Sequence, residues 1–397
     1  LTPPDICDIM KKNNREREPI MPNAVKIYVE EHIEEVFRII RELCRIPAPS
    51  HAEQERAAYC QRWFAENGMP KAYIDEAFNV ILPYEARDSH TLTVLAAHTD
   101  TVFPDTEPMP YDEDDACIRS PGVGDDTAGV AVLMLCAKYF FTYRPKTQGV
   151  LFVCNTGEEG LGNLKGARTL FADYGKRIRR FITLDTVSLA DVTNRCVGSH
   201  RYRVEVQTEG GHSFRAFGKR NAICELARIV NEIYRIELPE KENARVTYNV
   251  GSIEGGTSVN TIAQKASMLC EYRSDDESLL AFMQREFERI FKQAESDDVH
   301  VSVARIGERP CAKGVCDEDV DALRRIIAET AKEVTGQAIV CTSGSTDCNI
   351  PLSMGIPAIA IGAVNVHGAH TREEWIEKPS LPLGLELAIR SALRFSE

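Results

Sequence analysis

Thr91-Leu92-Thr93-Val94-Leu95-Ala96-Ala97-His98-Thr99-Asp100 is the segment from which the fold is read. A short continuous apolar run closed by a histidine and an aspartate predicts a buried strand that delivers polar residues to its end. The same arrangement recurs along the chain. Gly122-Val123-Gly124-Asp125-Asp126-Thr127-Ala128-Gly129 is a glycine-rich turn opening into a helix-like stretch over 130–141, and it would set a carboxylate at a helix start. A strand over 149–154 ends in Asn155-Thr156-Gly157-Glu158-Glu159-Gly160, and another over 181–184 ends in Asp185. Far downstream, an apolar strand over 356–361 precedes Gly368-Ala369-His370-Thr371-Arg372-Glu373-Glu374. Open α/β sheets build their sites where strand ends collect polar residues. His98, Asp125, Glu159, Asp185 and His370 are therefore expected to converge.

Taken singly, each of these residues has an ordinary reading. Asp125 and Asp185 suit turns or helix caps, and Glu158-Glu159 alone would be a solvated pair. Taken together they suit a hydrolytic centre of two divalent metal ions. Two such ions bring four positive charges and the three carboxylates return three; shared between two ions, these five residues leave coordination open for a common water. Metals roughly 3.5–4 Å apart make that water acidic and polarise a substrate carbonyl. Oxygen and nitrogen donors without cysteine suit zinc, with manganese or cobalt as substitutes. Glu158, beside Glu159, is placed as the general base. Asp100, two residues after His98, is expected to hold the second imidazole nitrogen and fix the ring.

Composition agrees with a globular enzyme. A chain of 397 residues exceeds a comfortable single core and predicts two domains. The apolar fraction of 43% is ample for burial, and no run approaches the roughly 18 apolar residues of a membrane span. Against 60 Asp and Glu stand 47 Lys and Arg, a formal charge of −13 that argues against nucleic-acid or anionic-membrane partners. Thirteen cysteines, an odd number set mostly in apolar segments, read as buried thiols of a reducing cytoplasm. Cys311 and Cys316 read as an incidental pair. Residues 1–20 are polar, carry no export signal, and read as an extension ahead of an amphipathic helix over 23–44.

The middle of the chain has a different rhythm. Strands over 202–206, 246–253, 266–273 and 299–303, with helices over 218–236 and 277–295, give β-α-β-β-α-β, the order of a ferredoxin-like split unit. Residues 194–307 are therefore expected to form an α+β lid inserted into a discontinuous catalytic domain, residues 1–193 and 308–397. The catalytic sheet must resume afterwards, because His370 has to return to ligands that all lie before residue 190.

These motifs carry a resemblance. His98-Thr99-Asp100, Gly124-Asp125-Asp126, Gly157-Glu158-Glu159-Gly160, Asp185, Gly211-His212-Ser213, Gly255-Gly256-Thr257-Ser258-Val259-Asn260, Arg273, Ser345-Thr346-Asp347 and His370-Thr371 resemble the dinuclear zinc exopeptidase and amidohydrolase family. That family includes peptidase T, carboxypeptidase G, aminoacylase and succinyl-diaminopimelate desuccinylase, and the resemblance runs from about residue 46 to the C-terminus. It implies a zinc-exopeptidase-like α/β catalytic domain, a mixed sheet flanked by helices, and a lid that also serves dimerisation. It implies that His98, Asp125, Glu159, Asp185 and His370 are the metal ligands. Asp125 would bridge, His98 would pair with Asp185, and His370 with Glu159. Glu158 is then the base, His212 a group at the oxyanion, often supplied by a second subunit, and Asn260, Arg273 and Ser345 substrate-binding residues. One departure is visible: Thr127 stands where the family commonly has lysine. The planar fork of Arg273 would clamp a substrate carboxylate.

The function implied is hydrolysis of a terminal amide bond in a small peptide, with a peptidase T-like di- or tripeptide aminopeptidase as first reading, since Asp rather than Glu stands at 185. A carboxypeptidase or an N-acyl amino acid deacylase would use the same centre. A metal-binding interaction protein without chemistry is the reading of a different class, and the presence of Glu158 speaks against it.

Overall fold

The computed structural model describes residues 22–87 and 91–396; the extension read into residues 1–20 lies outside the described residues. In chain order the elements are α1 (Pro22–Leu43), α2 (Gln54–Glu66), β1 (Tyr73–Ile74), β2 (Val80–Tyr84), β3 (Leu92–His98), β4 (Asp112–Glu113), β5 (Cys117–Arg119), α3 (Ala128–Tyr143), β6 (Val150–Asn155), α4 (Lys165–Tyr174), β7 (Ile178–Thr183) and β8 (Asp191–Cys196). There follow β9 (Gly198–Thr208), β10 (Gly211–His212), α5 (Ala222–Ile233), β11 (Val246–Gly255), β12 (Thr261–Ile262), β13 (Lys265–Ser274), α6 (Glu277–Ala294) and β14 (Val299–Arg309). The chain closes with α7 (Asp317–Thr335), β15 (Val340–Gly344), α8 (Asn349–Ser353), β16 (Ala358–Ile361), β17 (Val366–His367), β18 (Trp375–Glu377) and α9 (Leu381–Ser396).

An eight-stranded mixed sheet, ordered β1-β2-β6-β3-β7-β16-β8-β15, forms the centre. Its four middle strands, β6, β3, β7 and β16, run parallel, so their carboxyl ends share one edge. Side chains alternate between faces with a period of two, and both faces are apolar. Leu95 and Ala97 of β3 with Phe152 and Cys154 of β6 join the core under α1, α3 and α9, while Val94, Ala96, Leu151 and Val153 join that under α4 and α8. Burial on both faces is what turns these strands into continuous apolar runs.

A second sheet, ordered β11-β13-β9-β14 and antiparallel throughout, packs α5 and α6 on one face. Asp276 caps α6 by accepting the Leu279 N–H at 3.1 Å, and the stripe Leu279, Leu280, Met283, Phe287 and Ile290 is buried. The changeover between sheets differs from the expected boundaries. Residues 191–196 are polar and lack strand alternation, yet they form β8 of the main sheet, so the second sheet begins at Gly198. At its far end β14 runs on to Arg309, past the expected limit at 307. No helix among the described residues is long and apolar enough to cross a membrane. Every described cysteine is free, and although most are buried, Cys224, Cys316 and Cys341 are exposed.

Candidate metal centre

Register explains why the site residues meet. His98 closes β3 opposite Asn155 of β6, so the chain leaving β6 carries Glu158 and Glu159 past His98. Asp185 follows β7 by two residues, and His370 arrives from the loop after β17. Asp125 comes from the turn before α3, where Gly122 adopts φ 73°, a conformation that favours glycine. The Asp125–Asp126 peptide is cis.

Asp125 is the hub. Its Oδ1 lies 2.9 Å from His98 Nε2 and its Oδ2 2.8 Å from His370 Nε2. On the His98 side stands Asp185, with Oδ1 at 4.0 Å; on the His370 side stands Glu159, with Oε1 at 3.3 Å. Donor atoms of His98, Asp125 and Glu159 fall within 4.8 Å of one another, as do those of His98, Glu158 and Asp185. Glu159 Oε1 is buried and has no hydrogen-bond partner among the described residues. Burial pushes the Asp185 carboxyl well above the usual carboxylate range and the Glu158 carboxyl up to about 8. The Asp125 carboxylate at 2.8 Å and the Glu159 carboxylate at 3.3 Å push His370 up to about 11. Acids crowded out of water around an unbonded oxygen favour added positive charge, and a set of oxygen and nitrogen donors fits divalent cations.

Asp100 differs in part from expectation. His98 Nδ1 lies 3.0 Å from the Asp100 main-chain oxygen and 3.4 Å from its Oδ1, so the closer support of the ring is the carbonyl. The Asp100 carboxylate instead accepts the main-chain N–H groups of Glu158 and Glu159 at 3.0 and 2.9 Å and the Ser50 hydroxyl at 2.7 Å. It thereby ties the His98 loop to the Glu158-Glu159 loop. Asp126 accepts the His98 N–H at 3.0 Å. Thr127, the departure from the family pattern, accepts from Arg56 Nη1 at 3.1 Å, and Arg56, 1% exposed, also donates to the carbonyls of Thr99 and Ile46. A cation thus reaches this spot from α2.

A cavity of about 500 Å³ opens over the cluster, lined by Asp125, Glu158, Glu159, Asp185 and His370 and, from the second sheet and the following segment, by Arg201, Arg273, Arg309 and Ser345. Arg273 is therefore present, but its fork is engaged: Nε and Nη2 donate to the two oxygens of Glu271 at 2.8 and 3.0 Å. His212 and Asn260 are not brought to the cavity. Both sit at the small β10–β12 ribbon, exposed.

Sequence reasoning missed three residues. Arg309, 5% exposed, pairs with Glu158 at 2.9 Å. Arg201 donates to the Gly160 carbonyl. Glu374, fully buried, accepts the N–H groups of Gly122, Gly124 and Asp125 at 2.9, 2.7 and 3.0 Å. Only Glu374 carried a usable signal, its place four residues after His370.

A mixed α/β sheet that delivers two histidines and three carboxylates to one edge defines a candidate centre for divalent metal ions. The chain belongs to peptidase family M20/M25/M40, whose pattern matches residues 94–394. Members of the family are metal-dependent enzymes. Among curated relatives, a protein of Trichophyton verrucosum named "Probable carboxypeptidase" is 26% identical over 210 residues, 47% of this chain and 44% of that one; the chain spans about half the length of such relatives. In fold it is similar to aminopeptidase PepT of Bacillus cereus, with TM-score 0.69 and 21% identity over 92% of this chain and 99% of that chain. It is also similar to YXEP of Bacillus subtilis, which is named a dinuclear metal-binding peptidase, with TM-score 0.64 and 15% identity over 92% and 99%.

Proposed function

We propose that this chain is a two-metal exopeptidase that cleaves a terminal amide bond of small peptides, a di- or tripeptide aminopeptidase of the peptidase T kind. The observation that carries this reading is Asp125, which offers one oxygen toward His98 and the other toward His370. His98 with Asp185 would hold one divalent cation, His370 with Glu159 the second, and Asp125 would bridge them. Zinc is the ion the donors suit best, with cobalt or manganese as substitutes. When bound, the pair supplies an acidified water and polarises the scissile carbonyl.

The chain's own residues supply the rest. Glu158 has Oε1 tied to Arg309, and its Oε2 has no hydrogen-bond partner among the described residues. That oxygen is free to take a proton from water and pass it to the leaving amine. Ser345 and Arg273, at the cavity wall, hold the polar groups of the substrate. The second sheet acts as a lid, inserted between the two parts of the catalytic domain. His212 and Asn260 lie too exposed to serve their own cavity in this arrangement, and the exposed Phe214, Phe217 and Val259 beside them favour a homodimer in which they serve the neighbour's site, with His212 at the oxyanion. The substrate is a small peptide or N-acyl amino acid, handled in the cytoplasm, with no nucleic-acid or membrane partner.

A carboxypeptidase is the second reading, favoured by the fungal relative's name and by the arginine-lined wall. Mass-spectrometric product analysis of a panel of di-, tri- and tetrapeptides and N-acyl amino acids, with zinc, cobalt or manganese added, tests the choice. Release of N-terminal residues by wild type and not by Glu158→Ala supports the aminopeptidase. Release from the carboxyl end, or deacylation, moves the substrate class. Metal uptake with no turnover sinks the enzymatic reading.

A further inference from the structure

We infer that Arg309 is a positioning residue for the reaction, holding Glu158 in the orientation from which it works as base; the inference rests on the base assignment proposed above. Arg309 ends β14, opposite Ser199 of β9, and is 95% buried at the cavity wall. Both ends of its fork are used on one loop. Nη1 donates to Glu158 Oε1 at 2.9 Å, while Nη2 donates to the Glu158 main-chain oxygen. Nη1 also lies 2.9 Å from the Ser345 carbonyl and 3.2 Å from its hydroxyl. One rigid, planar group therefore fixes the carboxylate of Glu158 relative to its own backbone and to Ser345. Side-chain torsions left free would scatter Oε2 over several positions, and a general base must sit within hydrogen-bond reach of its proton.

The surroundings reinforce this. The Glu158 loop is fastened to the second sheet at further points: Arg201 donates to the Gly160 carbonyl, the Glu308 N–H donates to Asn163 Oδ1 at 2.8 Å, and Arg168 donates to the Glu308 carbonyl at 2.6 Å. None of these reaches the carboxylate itself, which leaves its orientation to Arg309. Lysine offers a compact point charge and no fork, so it can meet Oε1 or the carbonyl but not both in the same geometry.

The test is a kinetic cycle on the metal-loaded enzyme with wild type, Arg309→Lys, Glu158→Ala and the double variant, each checked for folding by thermal melt and for metal content. Arg309→Lys should lower kcat about a hundredfold, within the span of general-base contributions, while KM stays within about threefold and metal content is unchanged. Residues that act through one another are non-additive, so the double variant should match Glu158→Ala within about threefold. An additive loss, or a loss carried by KM alone, overturns the proposal. Wild-type kcat in Arg309→Lys alongside inactive Glu158→Ala overturns it and leaves the base reading standing; full activity in Glu158→Ala removes the base reading itself. Arg309→Ala with guanidinium added at millimolar concentration is the second arm: partial recovery of kcat at constant KM supports the proposal, and no recovery by the folded variant overturns it.

Discussion

Glu374 accepts the main-chain N–H of Asp125 at 3.0 Å, and its other contacts make it the anchor of the whole turn. Three N–H groups converge on one buried carboxylate, those of Gly122, Gly124 and Asp125. Glu374 lies four residues after His370, so a single side chain sets the spacing between two of the loops that meet at the centre. Replacing it with alanine leaves buried donors unsatisfied, each costing about 1–3 kcal/mol. Glu374→Ala should therefore lower the melting temperature and, as supports of metal-binding groups do when lost, weaken metal affinity about 10–100-fold. Calorimetric titration with zinc beside a thermal melt checks both; unchanged affinity in a folded variant would count against the anchoring role.

Metal removal gives a prediction independent of substrate. Chelation should abolish hydrolysis and also lower the melting temperature, because a ligand that binds only the native state adds about 2.7 kcal/mol at a hundred times its dissociation constant. Added zinc should restore both in wild type. In Asp125→Asn, whose side chain keeps the shape but loses the bridging charge between His98 and His370, zinc should raise the melting temperature far less. A zinc-induced rise equal to that of wild type would contradict the hub assignment.

Away from the centre, Glu113 offers a test of stability against pH. Burial works against its charge, but hydrogen bonds from Lys378, Tyr111 and Arg41 outweigh it and bring the carboxyl down to about 2 from its ordinary 4.5. Lys378 and Arg41 approach at 2.7 and 2.6 Å, linking the β4–β5 strands to α1 and to the segment after β18. A depressed folded value means that the stabilisation is present in full above pH 4.5 and disappears as the pH falls through about 2. Glu113→Gln should cost on the order of 2 kcal/mol at pH 7, the scale of hydrogen bonds to a charged group, and the gap to wild type should close at acid pH. Urea unfolding of the two proteins at pH 7 and pH 3 measures it; a gap that widens toward acid would show the sign to be wrong.

Legibility in the sequence followed locality. The parallel strands were readable because burial on both faces makes each a continuous apolar run, and because His98, Glu158-Glu159 and Asp185 stand within a few residues of where those runs stop. His370 needed its own motif, since the loop after β17 separates it from β16. The partners of these residues were hidden for the opposite reason. Arg309 meets Glu158 across 151 positions and Glu374 meets Gly122 across 252; nothing near Arg309 marks the encounter, and Glu374 is marked only by its place four residues after His370. The spacing of Asp100 from His98 points to a carboxylate beside the imidazole, and its Oδ1 does stand 3.4 Å from Nδ1; what the spacing does not reveal is that the turn brings the Asp100 carbonyl still closer and gives the carboxylate the Glu158 and Glu159 amides. The sheet boundary at Gly198 was obscured because β8, at the side of the sheet between β16 and β15, has the polar sequence Asp191-Val192-Thr193-Asn194-Arg195-Cys196.

In the substrate mode proposed above, Arg273 and Glu271 together set how a free carboxylate is received in the cavity. Glu271 holds the Arg273 fork through both oxygens and is reached by Arg201 Nε at 3.3 Å, so a carboxylate already occupies the geometry that a substrate carboxylate would want. Arg201 and Arg273 both line the cavity, and two guanidinium groups around one carboxylate leave an excess positive charge facing the substrate. Arg273→Ala should raise KM for peptides with a free carboxyl terminus about 10–100-fold, the worth of charge-assisted hydrogen bonds of about 1.5–3 kcal/mol, and should change amidated peptides little. Glu271→Gln should act in the opposite direction, lowering KM for the same free-carboxylate peptides by releasing the fork. Steady-state kinetics on matched free and amidated peptides separates the outcomes. Equal effects of Arg273→Ala on both series would mean that the arginine serves the wall of the cavity and not the carboxylate, and a higher KM in Glu271→Gln would mean that Glu271 holds the fork in its working position rather than competing for it.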